Sequence, residues 1–286
     1  MSDLTDCNPS QREAVMFGEG PLLLLAGPGS GKTFTITRRI QYLLRERQIA
    51  PEKLLVITFT REAALSMRQR FAQISPQEAH TVNFGTFHSV FYQILLKSGR
   101  ISTGNILSDR QKYSLILPIL KKQKNCKRLS AAEMTDIAGS FLAAIGYYKN
   151  TGDAENSTKK LSQEWRDYFS QIFDAYEKAR KDIRGLDFDD MLRECEELLQ
   201  NDATQRAVWQ NRFAHLLIDE FQDINYRQYS IVKILAEKHK NVFAVGDDDQ
   251  AIYGFRGARP ACMKLFVQEF GAKQILLGTN YRSHQD

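Results

Sequence analysis

The stretch Pro21-Leu22-Leu23-Leu24-Leu25-Ala26-Gly27-Pro28-Gly29-Ser30-Gly31-Lys32-Thr33 decides the fold. A short apolar run ends in a glycine-rich turn, and residues at helical spacing (Ile36, Ile40, Leu43, Leu44) follow. Strand, turn and helix N-terminus make an anion site, because free backbone N–H groups and the helix dipole point at one place. The glycines let the backbone wrap closely around a phosphate. Lys32 is predicted to reach the β/γ-phosphates of a bound nucleotide and the Thr33 hydroxyl to ligate Mg²⁺. The strict pattern G-x-x-x-x-G-K-[ST] has glycine where Ala26 stands.

Five more apolar runs end in Gly, Thr, Asp or a turn: Leu54–Phe59, Val82–Phe84, Leu216–Asp219, Val242–Val245 and Gln274–Leu277. Continuous apolar strands separated by helices predict a parallel sheet covered on both faces, an α/β fold. The alternation breaks between the third and fourth runs. There apolar residues recur at helical spacing (Met134, Ile137, Phe141, Ile145; Leu161, Trp165, Tyr168, Ile172, Tyr176; Met191, Leu192, Cys195, Leu198, Leu199), with a polar, loop-like stretch over 150–160. The expected organisation is an α/β domain in two segments, 1–104 and 191–286, carrying an all-helical insertion over 105–190. The stripe Trp165, Phe169, Phe173 is expected to pack the insertion's own core.

The remaining strand ends carry chemistry. His215-Leu216-Leu217-Ile218-Asp219-Glu220 delivers two carboxylates to the C-terminal edge of the sheet, where open α/β sheets bind ligands. Asp219 is predicted to hold the Mg²⁺ shared with Thr33, and Glu220 to orient or deprotonate the attacking water. Val242–Val245 leads through an acidic turn to Gln250, an amide placed to sense the γ-phosphate. Asn280-Tyr281-Arg282 supplies a planar cation for the same phosphate. Four strand ends bearing Lys/Thr, Asp/Glu, Gln and Arg predict a nucleoside triphosphate hydrolysis site.

Composition excludes other classes. The 286 residues are 43% hydrophobic and 26% charged with a formal charge of +5, which excludes a disordered chain, a collagen-like fibre and a coiled-coil rod. The excess is local: residues 97–128 hold nine Lys or Arg against one acid, Asp109, a charge able to track a phosphate backbone. Cys7, Cys126, Cys195 and Cys262 are scattered and no histidine has metal-ligand spacing, so neither disulfides nor structural zinc are expected. No signal segment leads the chain, and the run 22–26 is far shorter than the roughly 20 residues of a membrane helix. A soluble protein of the reducing cytoplasm, with no membrane partner, fits.

In order along the chain the motifs resemble those of the amino-terminal, RecA-like motor domain of superfamily 1 DNA helicases of the UvrD/Rep/PcrA type. Asn8-Pro9-Ser10-Gln11 resembles the family's Q motif, and Ala26–Thr33 its phosphate loop, which commonly begins with Ala. Thr58-Phe59-Thr60-Arg61-Glu62 resembles its strand-contacting motif, with Arg61-Glu62 where Asn-Lys is usual. Gly85-Thr86-Phe87-His88-Ser89, Asp187-Phe188-Asp189-Asp190-Met191-Leu192, Asp219-Glu220-Phe221-Gln222-Asp223 and the run 245–258 also match.

The resemblance implies that Gln11 reads the adenine edge and Tyr281 packs on the base. It implies that residues 26–33 hold the phosphates, that Arg282 contacts the γ-phosphate, and that Gln250 couples hydrolysis to DNA. Phe59, Thr60, His88, Tyr253, Phe255 and Arg256 would meet single-stranded DNA, with Phe255 a smaller stacking face than the usual Trp.

The implied cofactors are ATP and Mg²⁺, and the implied partners are single-stranded DNA and duplex junctions, with 3′-to-5′ travel. The chain ends close after the Arg282 motif, so a fragment is expected, with a second RecA-like domain supplying an arginine finger. Such fingers are worth about 10³–10⁵ in rate, so this portion alone is expected to bind ATP better than it hydrolyses it. Two alternatives stay open: the motor part of a helicase–nuclease, and a nucleotide-gated protein-binding module without unwinding.

Overall fold

The computed structural model describes residues 4–123, 129–247 and 261–281. They form two compact units, one from Met1–Phe91 with Glu196–Asp286 and one from Tyr92–Cys195. In the first unit six strands make one sheet: β1 (Leu22–Ala26), β2 (Leu54–Thr58), β3 (Asn83–Thr86), β4 (His215–Ile218), β5 (Val242–Gly246) and β6 (Lys273–Leu277), in the order β3-β2-β4-β5-β1-β6. All five pairings are parallel, and all six predicted strands are present.

The helices in chain order are α1 (Pro9–Met16), α2 (Lys32–Arg45), α3 (Arg61–Ile74), α4 (Phe87–Lys97), α5 (Asp109–Lys121), α6 (Ala131–Thr151), α7 (Ala154–Thr158), α8 (Gln163–Arg166), α9 (Phe169–Asp182), α10 (Phe188–Asn201), α11 (Ala203–Arg212), α12 (Tyr226–Ala236) and α13 (Ala261–Phe270), with α4 to α11 following one another between β3 and β4. None of the described helices is long and apolar enough to cross a membrane.

Strands β2, β4 and β5 are buried along their whole length, as apolar strands sandwiched between helices must be. Leu22, Leu24, Ile36, Ile40, Val56, Leu217, Phe243 and Val245 share one core. Arg39, on α2, is 3% exposed and fixes the end of α1. Its guanidinium donates to the carbonyls of Val15 at 2.8 Å and Gly18 at 2.9 Å, and to that of Phe17.

His215 begins β4 and is buried. Burial, helped by the charge of Arg39, pushes its imidazole down to about 4. The folded chain therefore binds fewer protons than the unfolded chain between about pH 4 and 6.5, and stability falls as pH drops through that window. The full loss is about 3 kcal/mol. Urea unfolding of His215→Gln is expected to show a shallower loss between about pH 7 and 4.5 than the parent; equal slopes would remove His215 as the cause.

In the second unit the backbone zips at a parallel bridge, Ile106 to Leu186, with Leu186 N–H donating to Asn105 O at 2.7 Å and Leu107 N–H to Leu186 O at 2.8 Å. The sequence sets the insertion at 105–190, whereas the compact unit is Tyr92–Cys195 and its ends fall inside α4 and α10. Ser108 and Ser130 start α5 and α6 with capping boxes. Phe141, Trp165, Phe169, Ile172 and Tyr176 pack one core, with Phe173 at its margin, as the aromatic stripe predicts.

The predicted loop over 150–160 is not a loop throughout. Gly152 in the left-handed region closes α6, and the Asp153 side chain then accepts the Asn156 N–H to start the short α7. Gly152, Asn156 and Ser157 read as breakers in sequence, but only Gly152 breaks a helix.

Asp187 and Asp190 are buried with two cations, and Asp189 between them is half-buried. Lys149 Nζ lies 2.5 Å from Glu177, 2.8 Å from Asp187 and 3.0 Å from Asp190. Arg180 lies 2.7 Å from Glu177 and 3.0 Å from Asp190. Burial pushes Asp190 up, aided by the Asp187 charge. For Asp187 burial also works upward, but Lys149 and the Asp190 hydrogen bonds outweigh it and hold the carboxyl low. Burial and the Asp187 charge push Asp189 up to about 6.

Candidate nucleotide site

The site is assembled at the C-terminal ends of β1 and β4, the two neighbours of β5. Beyond Ala26 the chain turns through Gly27, Pro28 and Gly29. Ser30 is locked by its hydroxyl donating to Gly27 O at 2.7 Å. Gly31 has φ +87° and caps α2, a backbone conformation that glycine adopts without strain. A Cβ there would also lie 2.8 Å from Gln11 Nε2. Lys32 and Thr33 consequently open α2 at its positive end.

Three other elements close on this loop. Gln11, the third residue of α1, is 2% exposed. Its Oε1 accepts the Asn8 N–H at 3.1 Å and its Nε2 donates to Ser30 O at 3.2 Å. Tyr281 N–H donates to Gly29 O at 2.9 Å, and Asn8 Nδ2 donates to the Tyr281 hydroxyl at 2.7 Å. The Tyr281 side chain stays 58% exposed, a face open to a base. A cavity of about 540 Å³ lies here, lined by Pro28, Gly29, Gly31 to Phe34, Arg70, Glu220 and Tyr281. Arg70, on α3, carries no motif spacing relative to the loop; only the packing of α3 brings it to this wall.

At the end of β4, Asp219 N–H donates to Ile57 O at 2.9 Å, and the Asp219 carboxylate accepts the Glu220 N–H at 3.1 Å. Burial and the Glu220 charge push Asp219 up to about 6. Glu220 sits at φ +51°, ψ +47°, a left-handed conformation uncommon for a non-glycine residue. Its Oε2 meets Lys32 Nζ at 3.1 Å and accepts from Gln222 Nε2 at 2.8 Å. The residue types predicted for phosphate and water thus touch, although 188 positions separate them.

The donor set fits Mg²⁺. This ion keeps several waters and takes one or two carboxylates plus substrate phosphates. A buried carboxylate (Asp219) and a hydroxyl (Thr33) at the mouth of a phosphate loop are donors of that kind, and a cation would relieve the crowding of Asp219 against Glu220. Among the described residues no group of three or more His, Cys, Asp or Glu is arranged to hold a metal by itself.

Phe59, Thr60 and His88 lie at the ends of β2 and β3, across β4 from the nucleotide cavity. Thr60 is exposed and accepts the Ala63 N–H at 3.1 Å to cap α3; Phe59 and His88 are half-buried. Gln250, Tyr253, Phe255, Arg256 and Arg282 lie outside the described residues.

The family model described as UvrD/REP helicase N-terminal domain matches residues 7–271. The chain belongs to the UvrD/REP helicase N-terminal domain family. It is similar to "Putative ATP-dependent DNA helicase YjcD" of Bacillus subtilis (strain 168), 38% identical over 283 residues, which cover 96% of this chain and 36% of that protein. The ATP-dependent DNA helicase PcrA of Staphylococcus epidermidis is 36% identical over 285 residues, 96% of this chain and 38% of that protein. PcrA of Staphylococcus aureus is 36% identical over 289 residues, covering 98% and 38%. The chain thus spans well under half the length of these relatives. A parallel sheet flanked by helices is the RecA-like architecture expected of this UvrD/REP domain.

Proposed function

We propose that this chain is the ATP-binding and single-strand-binding motor part of an ATP-dependent DNA helicase that travels 3′ to 5′, with residues 105–190 as its helical insertion. The single observation that supports it best is the contact of Lys32 with Glu220 at 3.1 Å on the wall of one cavity. A phosphate-binding cation and a water-orienting carboxylate are the two groups that phosphoryl transfer to water needs side by side.

In this reading the loop N–H groups and Lys32 bind the β/γ-phosphates, and Lys32 leaves Glu220 as they arrive. Thr33 and Asp219 would hold Mg²⁺, which would supply neutralisation of phosphate charge when bound. Glu220, released from Lys32, orients the water. Gln11 has both amide atoms engaged, yet each keeps one further valence: a second N–H on Nε2 and a second lone pair on Oε1, the pair an adenine edge requires. Tyr281 offers its exposed ring to the base. Arg70 adds a cation to the cavity wall, and Arg282 and Gln250 join the γ-phosphate as the resemblance implies. Phe59, Thr60 and His88, with Tyr253, Phe255 and Arg256, carry the DNA strand and the junction.

The test is single-stranded DNA binding by this chain with and without a non-hydrolysable ATP analogue and Mg²⁺, at two salt concentrations. Salt-sensitive binding that shifts with nucleotide is expected. Lys32→Ala should weaken analogue binding by about 10–100-fold, the worth of a hydrogen bond to a charged group, and erase the shift. Nucleotide binding with no strand affinity in the full-length protein would favour the protein-binding module, and unweakened binding by Lys32→Ala would remove the phosphate-loop assignment.

A further inference from the structure

Gln222 stands two residues beyond Glu220 in a single 3₁₀ turn, Phe221–Asp223, and is 1% exposed. Both ends of its carboxamide are engaged. Its Oε1 accepts the Asp247 N–H at 3.0 Å, and its Nε2 donates to Glu220 Oε2 at 2.8 Å. A backbone N–H only donates, so the first bond decides which end of the amide is oxygen, and the NH₂ group must face the carboxylate. The orientation follows from the hydrogen-bond network itself.

The neighbouring strand is shaped for this side chain. A Cβ at Gly246, the last residue of β5, would lie 2.9 Å from Gln222 Oε1 and 3.2 Å from the Gln222 backbone nitrogen. Gly246 is buried in the strand, so its lack of a side chain is what lets the turn after β4 lie against β5. The amide therefore ties the carboxylate after β4 to the backbone after β5, two strands that are neighbours in the sheet. A group needed only to fill this space would have no use for polar atoms at both ends, because burying them costs free energy unless each finds its partner.

Resting on the reading of Glu220 as the water-orienting carboxylate, we infer that Gln222 is a positioning residue for ATP hydrolysis. Glu220 Oε2 has two donors, Lys32 and Gln222. When Lys32 turns to the phosphates, Gln222 stays. It then fixes the rotation of the Glu220 carboxylate, pins Oε2 toward β5, and leaves Oε1 to meet the water. Holding a reacting group in one geometry is worth rate rather than affinity, so the signature belongs in kcat.

The experiment is steady-state ATPase of the full-length protein with saturating single-stranded DNA, for Gln222→Glu, Gln222→Met and Glu220→Gln, alongside binding of a fluorescent ATP analogue. Gln222→Glu is isosteric and keeps an oxygen for the Asp247 N–H, but it loses the donor and sets a second carboxylate against Glu220. Its kcat is expected to fall by about tenfold or more, with KM for ATP within about threefold of the parent. Gln222→Met should show the same split, and equal analogue binding certifies the fold of each variant. In the double variant Glu220→Gln/Gln222→Glu, kcat should be no lower than in Glu220→Gln alone, since a strut has nothing left to hold. Multiplying losses would instead make Gln222 merely structural and overturn the inference. So would a Gln222→Glu kcat within about twofold of the parent, or a raised KM with unchanged kcat. Turnover surviving in Glu220→Gln would overturn the role of Glu220 itself; its loss there, with parental turnover in Gln222→Glu, overturns only the positioning role.

Discussion

Glu220→Gln is expected to leave nucleotide bound and to lower ATP turnover by about 10²–10⁴-fold, the range that a positioned general base contributes. That corresponds to about 3–5 kcal/mol of transition-state stabilisation. The two halves of the expectation come from different atoms. In the proposed reading binding rests on the loop N–H groups and Lys32, all of which the substitution leaves in place. Turnover rests on a carboxylate that Gln cannot imitate, because a neutral amide takes no proton from water. Affinity should hold or rise slightly, since Lys32 no longer has an anionic competitor at 3.1 Å. The checks are phosphate release with single-stranded DNA present and titration of a fluorescent ATP analogue, both in the full-length protein. Turnover within about tenfold of the parent would exclude Glu220 as the water-orienting group.

How much of this was readable beforehand depends on how local each feature is. The glycine-rich loop is a continuous segment whose glycines, lysine and threonine have meaning only at one spacing, so the strand, the turn and the start of α2 follow from residues 21–33. The strands read correctly because a parallel strand buried on both faces has to be a continuous apolar run, as β2, β4 and β5 are. Arg70 was not readable: it follows the strand-contacting motif on an exposed stretch of α3, and only the course of that helix brings it to the nucleotide cavity. Gln222 was visible as a motif letter, while its partner, the Asp247 N–H, is a main-chain group that no residue type announces. The stretch 150–160 departs from a loop because Asp153 recaptures the chain one residue after Gly152 ends α6, and Asn156 lies within the helix that follows.

The acids of residues 187–190 show the same limit from the energetic side. In sequence they match a family motif and look available for chemistry. In the fold they surround Lys149, which comes from α6, 38 positions away from Asp187, and whose side chain is 8% exposed. Burial alone would pull the Lys149 ammonium down, but Asp187, Asp190 and Glu177 more than offset it and hold it raised. With Arg180 as the second buried cation and the half-buried Arg193 at 3.6 Å from Asp190, three carboxylates share these positive charges, and Asp189 beside them is already pushed up to about 6.

Lys149→Met is therefore expected to destabilise the chain by about 3–5 kcal/mol at pH 7.5, because it strands buried carboxylates rather than merely losing a bond. The sign of its pH dependence follows. Without the ammonium Asp187 loses the main influence that holds its carboxyl low, and Glu177 keeps Arg180 but loses the help of Lys149, so in the folded variant both bind protons at higher pH than in the parent. Protonation then relieves the repulsion, and the gap between parent and variant should narrow as pH falls toward about 5.5. Asp190→Asn added to Lys149→Met removes one stranded charge and should recover part of the loss, a non-additivity expected of residues in one network. Urea unfolding of the three variants at both pH values makes the comparison. A loss below about 1 kcal/mol at pH 7.5, the size of an exposed ion pair, would mean that solvent reaches this cluster and that the buried charges do not hold the helical unit together.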